Sequence, residues 1–415
     1  MIVLPRLTVN SDRLSESINR LAKIGKQPSG SICRLAFTPE DLQARYLVQQ
    51  WMIEAGMTVR TDAAGNLIGT YAGTVEDAPA LATGSHIDTV PSGGRFDGVL
   101  GVLAGIEVVR TLRANNLRLN HPIEVIVFTD EESTMIGCQA IAGTVLLQSP
   151  ERYQPKVGES IQTSLEMVGG NWDQLPTAKR SRADIAAFVE LHVEQGAVLE
   201  RTGKDIGVVQ GVVGMRRKAI TITGLANHAG TTPMDMRQDA LVAAAQVVLA
   251  VRNIARRMPS SPVATVGYLN VLPNAVNIVP GKVELSVDMR DLSNECLEEM
   301  LEQLRQDVQA IATETNTKID IAALLCVEPT LAAPQVQTTI ESICQQLGLS
   351  YCHLPSRAGH DALEIGRITD MGMIFVPSQA GVSHSEAEYT SPQQCTQGAN
   401  VLLQTLVELD KVYPV

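Results

Sequence analysis

The stretch Gly84-Ser85-His86-Ile87-Asp88-Thr89-Val90-Pro91-Ser92-Gly93-Gly94-Arg95-Phe96-Asp97-Gly98 places one histidine and two aspartates in a single glycine-rich loop. Imidazole and carboxylate are the donors that suit zinc, manganese or cobalt. The loop therefore reads as the start of a metal site. The plainer alternative is a polar loop in which Asp97 caps the next helix. Three further places share its character: Glu131-Glu132, His192, and His384 within Ser383-His384-Ser385. A lone histidine is more often a hydrogen-bonded core or surface residue, but here the same coincidence would have to occur four times. Glu131 and Glu132 are adjacent, so on extended chain their side chains point opposite ways. One is expected to bind metal while the other serves as acid or base. Histidines with a carboxylate shared between two ions suggest a two-metal hydrolytic site. A serine-nucleophile reading fails for want of a Gly-x-Ser-x-Gly elbow. Gly93 to Gly98 lacks the Lys-Ser/Thr of a phosphate-binding loop.

The elements that would position these residues are legible. An apolar run, Ala80 to Thr83, leads to His86, and Val99, Val102, Leu103, Ile106, Val109 and Leu112 recur at helical spacing after Asp97. Ile123 to Phe128 is a buried strand running into Glu131. Ile185 to Leu191 is another, ending at His192, and Gly372 to Val376 is a third, before His384. Ligands gather beyond the carboxyl ends of the strands in open α/β sheets. Thr38-Pro39-Glu40-Asp41 marks a helix start, with Gly56 as its stop. The alternation predicts a mixed, largely parallel α/β sheet with helices on both faces.

Near Gly211 the texture changes. Lys218 to Thr223 alternates with period two, Asp239 to Arg252 is helical, and Thr265 to Leu269 and Lys282 to Asp288 are strands. Leu297 to Ile311 is helical, and Lys318 to Ala322 is a strand. Strand-helix-strand-strand-helix-strand is a ferredoxin-like α+β unit. We read it as an inserted domain, 212–328, within a discontinuous domain of 1–211 and 329–415.

The chain has 415 residues and a net charge of −12, which disfavours a nucleic-acid partner. Its seven cysteines are odd in number and scattered, which fits free thiols in a reducing cytoplasm. Met1 to Arg6 is too short and too soon interrupted by charge for a signal peptide. No apolar run reaches the roughly 18 residues of a membrane-spanning helix.

In order and context, His86-x-Asp88, Asp97-Gly98, Glu131-Glu132, His192 and His384 resemble the M20-type metal-dependent amidohydrolases. Glu190-Leu-His-Val-Glu-Gln-Gly196, Asn227-His-Ala-Gly-Thr-Thr-Pro-Met234, Pro273-Asn-Ala-Val-Asn-Ile-Val-Pro-Gly281, Ala358-Gly-His-Asp361 and Phe375-Val-Pro-Ser378 narrow the likeness to the carbamoylase and allantoate amidohydrolase branch. The resemblance implies two divalent ions, zinc, manganese, cobalt or nickel. His86, Asp97 and His192 would hold one, and Asp97, Glu132 and His384 the other. Asp88 would orient His86. Glu131 would be the general base for a water bridging the ions. His228 would stabilise the oxyanion, and Asn277 and Arg290 would grip a substrate carboxylate. Gln195 and Gly359 would also contact substrate, with His360 nearby. The implied substrate is a small ureido acid, allantoate, an N-carbamoyl-L-amino acid or 3-ureidopropionate. The inserted domain would form a homodimer and act as a lid, with His228, Asn277 and Arg290 reaching the partner's site.

Two departures from the pattern stand out. Met135-Ile136 stands where Arg-Phe is common, and Arg357 where Gly is common; the first is expected to alter a wall of the substrate pocket. The alternatives are a dipeptidase or aminoacylase of the same superfamily, and a metal-free binding protein that kept the fold. Without the resemblance, Arg290 could be a surface salt bridge, and Asn227-His228 could serve a glycine-rich turn alone.

Overall fold

The structure is a computed structural model that describes residues 7–145, 148–158 and 160–415. The stretch Met1 to Arg6, read above as no signal peptide, lies outside the described residues. The chain divides into two units, Met1–Gly211 with Leu331–Val415, and Val212–Thr330. The second crossing thus falls at Leu331 rather than at 329.

The elements run in chain order as α1 (Ser11–Leu21), α2 (Pro39–Glu54), β1 (Thr58–Thr61), β2 (Leu67–Tyr71), β3 (Ala80–His86), α3 (Val99–Ala114), β4 (Ile123–Phe128), α4 (Ile136–Ala142), α5 (Ile161–Met167), β5 (Ile185–Val193), α6 (Val198–Thr202) and β6 (Ile206–Val212). The second unit supplies β7 (Gly214–Thr223), β8 (Asn227–His228), α7 (Ala240–Arg257), β9 (Val263–Leu272), β10 (Ile278–Val279), β11 (Lys282–Asp291), α8 (Asn294–Thr315) and β12 (Lys318–Val327). Then follow β13 (Thr330–Leu331), α9 (Pro334–Leu347), β14 (Tyr351–Ser356), α10 (Asp361–Ile365), β15 (Asp370–Val376) and α11 (Pro392–Val412).

The helix start foreseen at Thr38 is realised. Its hydroxyl accepts from Asp41 N, Pro39 takes the first helical position, and Glu40 and Asp41 sit in the first turn. In the nine-stranded sheet the order is β1-β2-β4-β3-β5-β15-β6-β13, with β14 on β6. Its centre is parallel: β3 pairs with β4 and β5, and β15 with β5. Antiparallel strands flank it through β2 on β4 and β6 on β15. Strands β3, β4 and β5 are buried along their whole length, as parallel strands covered on both faces must be. On β5, Val189 and Leu191 join the apolar cluster formed with α3 and α11. The alternating Glu190 points the other way, where its Oε2 accepts from Ala362 N at the start of α10.

The second unit is the expected ferredoxin-like βαββαβ. Its sheet order is β12-β7-β11-β9, and all neighbours are antiparallel. On β11 alternate residues are buried, Val283, Leu285, Val287 and Met289, and they meet Val247, Val251, Leu297 and Leu304 from α7 and α8. Burying each such side chain contributes about 1.5–3 kcal/mol. Among the described residues, no helix is long and apolar enough to cross a membrane. All seven cysteines are free.

Candidate metal centre

Strand β3 ends on His86 and β5 carries His192 one residue from its end, so both rings emerge at the carboxyl edge of the parallel sheet. His86 Nδ1 lies 2.9 Å from Asp88 O, and His192 Nδ1 lies 2.8 Å from Val193 O. A carbonyl can only accept, so each Nδ1 carries the hydrogen and each Nε2 keeps its lone pair. Both Nε2 atoms lie beside one carboxylate, and that of His192 also accepts from Gly98 N at 3.0 Å. Asp97 Oδ1 is 3.7 Å from His86 Nε2 and 3.1 Å from His192 Nε2. The other oxygen, Oδ2, is 3.2 Å from Nε2 of His384, in the loop after β15, and that ring is 3.5 Å from Glu132 Oε1. His86, Asp97 and His192 thus form one close donor set, and Asp97, Glu132 and His384 a second.

Asp97 does not cap α3 with its side chain. Gly98 occupies the cap position at φ +65°, with no side-chain capping bond. A Cβ at Gly98 would lie 2.5 Å from His86 Nε2. Glycine is required there both for the left-handed backbone and for the space.

The adjacent glutamates behave differently from expectation. Glu131 to Thr134 is a turn rather than extended chain, following Asp130 at φ 56°. Both carboxylates therefore face His86; Glu131 Oε2 is 3.6 Å from its Nε2, and His86, Glu131 and Glu132 form a third close group. Period-two alternation holds only where the backbone is extended. Asp88 Oδ2 accepts from Glu132 N at 3.2 Å, tying this turn to the one after His86.

Electrostatics separate the acids. Burial raises the Asp97 carboxyl, but the His192 and His384 rings beside it, in their protonated form, overcome this and hold the group well below the usual range. Burial pushes Glu131 well above it, helped by Asp361 and Glu132. Burial also raises Glu132 and Asp88. For His192 burial opposes the charged ring, yet the Asp97 carboxylate prevails and lifts it to about 9. With each Nδ1 hydrogen committed to a carbonyl, an Nε2 beside a carboxylate oxygen attracts it only through a proton or a cation. The donor set of imidazole and carboxylate therefore fits a divalent metal.

Further residues reach the centre from other parts of the chain, and of these Glu388 had no signal in the sequence. Gln195, expected on substrate, donates its amide to Asp97 Oδ2 at 2.9 Å, as does the Ser383 hydroxyl at 3.0 Å. Glu388 Oε1 accepts from Phe96 N and Asp97 N at 2.8 and 3.2 Å, holding the loop that presents Asp97. Glu388 is remote in sequence from Asp97, and only the fold joins them. The His360 ring is buried, 4.5 Å from that of His192. Glu190, His192 and His360 form a further close group, but the Glu190 oxygens already accept from Ser85 Oγ and Ala362 N. Gly359 and Arg357 are exposed. Ile136 is buried in a cluster with Phe37, Ala140 and Tyr153. Ile136 thus faces the interior at the start of α4, while Met135 before it is half-buried.

In the second unit, His228 and Asn277 come together. His228 pairs with Ile278 in a two-stranded ribbon, and Ala229 N donates to Asn277 O at 2.9 Å. His228 is therefore on a strand pair and not only in a turn. Its Nδ1 accepts from Gly230 N and Thr231 N at 3.0 and 3.2 Å. That places the ring hydrogen on Nε2, where it is a donor. Arg290 Nε donates to Asp288 Oδ1 at 2.8 Å, and Arg217 Nη2 donates to Asp288 Oδ2 at 2.8 Å.

The profile of peptidase family M20/M25/M40 matches residues 82–408. An N-carbamoyl-L-amino acid amidohydrolase of Geobacillus stearothermophilus is 42% identical over 97% of this chain and 99% of its own length. An allantoate amidohydrolase of Escherichia coli K12 is 34% identical over 95% of this chain and 97% of its own. The crystal structure of a hydantoinase/carbamoylase-family amidase from Burkholderia multivorans superposes with a TM-score of 0.92 at 37% identity, covering 99% of this chain and 100% of that one. Fold, donor sets and full-length likeness agree, and the chain belongs to peptidase family M20/M25/M40.

Proposed function

We propose that the chain is an amidohydrolase that cleaves the linear C–N bond of a small ureido acid, an N-carbamoyl-L-amino acid or allantoate. The observation that carries this reading is Asp97, whose two oxygens face separate histidine sets while Glu131 stands beside them. Two divalent ions would be held, one by His86, Asp97 and His192, the other by Asp97, Glu132 and His384. Such ions polarise a carbonyl and make water more acidic.

The side chains supply the rest. Glu131 Oε2 takes a proton from the attacking water and delivers it to the leaving nitrogen. Burial, with Asp361 and Glu132, raises this carboxyl and so favours its taking up a proton. Asp88 O, by accepting from His86 Nδ1, fixes that ring's tautomer. His228 offers its Nε2–H to the oxygen on which negative charge develops. Arg290 and Asn277 dock the substrate carboxylate, the guanidinium fork being suited to it. The released carbamate separates into ammonia and carbon dioxide.

A homodimer through the second unit belongs to this reading. Its edge strand β9 exposes Tyr268, Leu269 and Leu272, and apolar side chains on a sheet edge invite symmetric pairing.

The deciding experiment is ammonia release from N-carbamoyl-L-amino acids, allantoate and 3-ureidopropionate, run beside hydrolysis of N-acetyl amino acids and dipeptides. Turnover of ureido acids is expected. Activity on dipeptides alone would move the assignment to the peptidase alternative.

A further inference from the structure

Residues 32–34 are hydrogen-bonded to the loop that carries His86 and Asp97, and they hold it at two places. Ile32 and Gly93 exchange backbone hydrogen bonds, each 2.9 Å. Arg34 N donates to Thr89 Oγ1 at 2.8 Å, and Thr89 N donates to Arg34 O at 2.9 Å. The Thr89 hydroxyl donates in turn to Ile32 O at 3.3 Å.

The Arg34 side chain is fully buried. Its Nε donates at 2.7 Å to the carbonyl of Ile87, the residue between His86 and Asp88. Its Nη1 donates to Ile24 O at 2.9 Å and Leu21 O at 3.3 Å. Nη2 is buried with no acceptor, so the desolvation of this guanidinium is not fully offset. An apolar side chain would fill the space at lower cost to the fold. The position of the charge, against the peptide between a histidine donor and the aspartate behind it, is what an apolar side chain could not supply.

We propose that Arg34 is a positioning residue for the metal centre. It fixes the peptide at Ile87, and together with Ile32 it closes the 86–97 loop so that His86 and Asp97 converge. Arg34 acts through His86, whose Nδ1 bond to Asp88 O depends on that turn. It also acts through Asp88, which accepts from Glu132 N and so carries the same restraint to the second donor set. The proposal rests on the metal-centre reading above.

The test is the divalent-metal affinity of the full chain stripped by chelator, measured by competition with a chromophoric chelator. Cobalt absorption reports the coordination, and circular dichroism of the metal-free form controls for folding. Arg34→Met and Thr89→Ala are expected to fold and to bind about ten- to a hundredfold more weakly, with an altered cobalt spectrum. Arg34→Lys should recover part of the loss, since an ammonium can still donate to the Ile87 carbonyl. Should Arg34→Met fail to fold, Thr89→Ala decides, because it leaves no buried charge unpaired. Folded variants with wild-type affinity and spectrum, whatever their Tm, overturn the proposal and leave the metal centre standing. A wild-type chain that binds no divalent ion sinks the metal centre itself, and the role of Arg34 with it.

Discussion

His192 and Asp97 meet at 3.1 Å, Nε2 to Oδ1, while the Nδ1 hydrogen of the same ring is committed to the carbonyl of Val193. Gly98 N donates to the same Nε2 at 3.0 Å, and the adjacent carboxylate favours a positive charge on or beside the ring. In the metal-free chain a proton meets that need, and Asp97 lifts the ring to about 9 against the effect of burial. Metal and proton therefore compete for one place. Metal uptake at pH 7 should release a proton from His192, and the number released should fall as the pH rises through about 9. Calorimetry in buffers of different ionisation enthalpy measures this directly, and a buffer-independent heat at pH 7 would refute it.

The same shift has a stability consequence in the metal-free protein. The His192 pKa is raised above its ordinary 6.5 in the folded state. Its contribution is therefore fully present below about 6.5 and is lost as the pH climbs through about 9. The Tm of the stripped chain should decline across that window. Substituting His192→Asn should flatten this part of the profile; an unchanged slope in the variant would assign the decline to other groups.

Glu131→Gln should separate chemistry from binding. The amide keeps the shape but cannot take up a proton, so turnover should fall by about 10²–10⁴. Divalent metal content should be retained, because Glu131 lies outside the two donor sets that share Asp97. A near-normal kcat would show that Glu131 is not the base.

Gly98→Ala is a one-carbon test of the centre. The new Cβ would meet His86 Nε2 at 2.5 Å, on backbone with φ of +65°. Metal affinity should drop at least about a hundredfold, beyond the range usual for outer-shell changes. The readout is cobalt absorption of the folded variant, and a wild-type spectrum would mean that the loop adapts.

For the proposed dimer the test is complementation. Chains carrying Glu131→Gln, mixed with chains carrying Arg290→Ala, should regain part of the activity if Arg290 serves the partner's site. Verified heterodimers without any recovery would place Arg290 and Glu131 in the same protomer's site.

The donor residues and the strands that carry them are legible in the residue pattern alone. His86, Asp97, Glu132, His192 and His384 were legible because each follows or ends an apolar run, and because parallel strands deliver their carboxyl ends to one edge. The βαββαβ order of the second unit was legible from its hydrophobic periods. Features that depend on backbone direction and on distant partners emerge only in the folded chain. Glu131 and Glu132 share a side because Asp130 takes the left-handed conformation and the chain turns there. Met135 is left-handed too, and Ile136 turns inward as α4 begins. Glu388 reaches the Asp97 backbone, and Arg34 the peptide at Ile87, across separations that carry no local pattern. Periodicity records which face of an element is buried; it does not record which buried charge will meet which carbonyl, since that follows from how the loops cross once the sheet has formed.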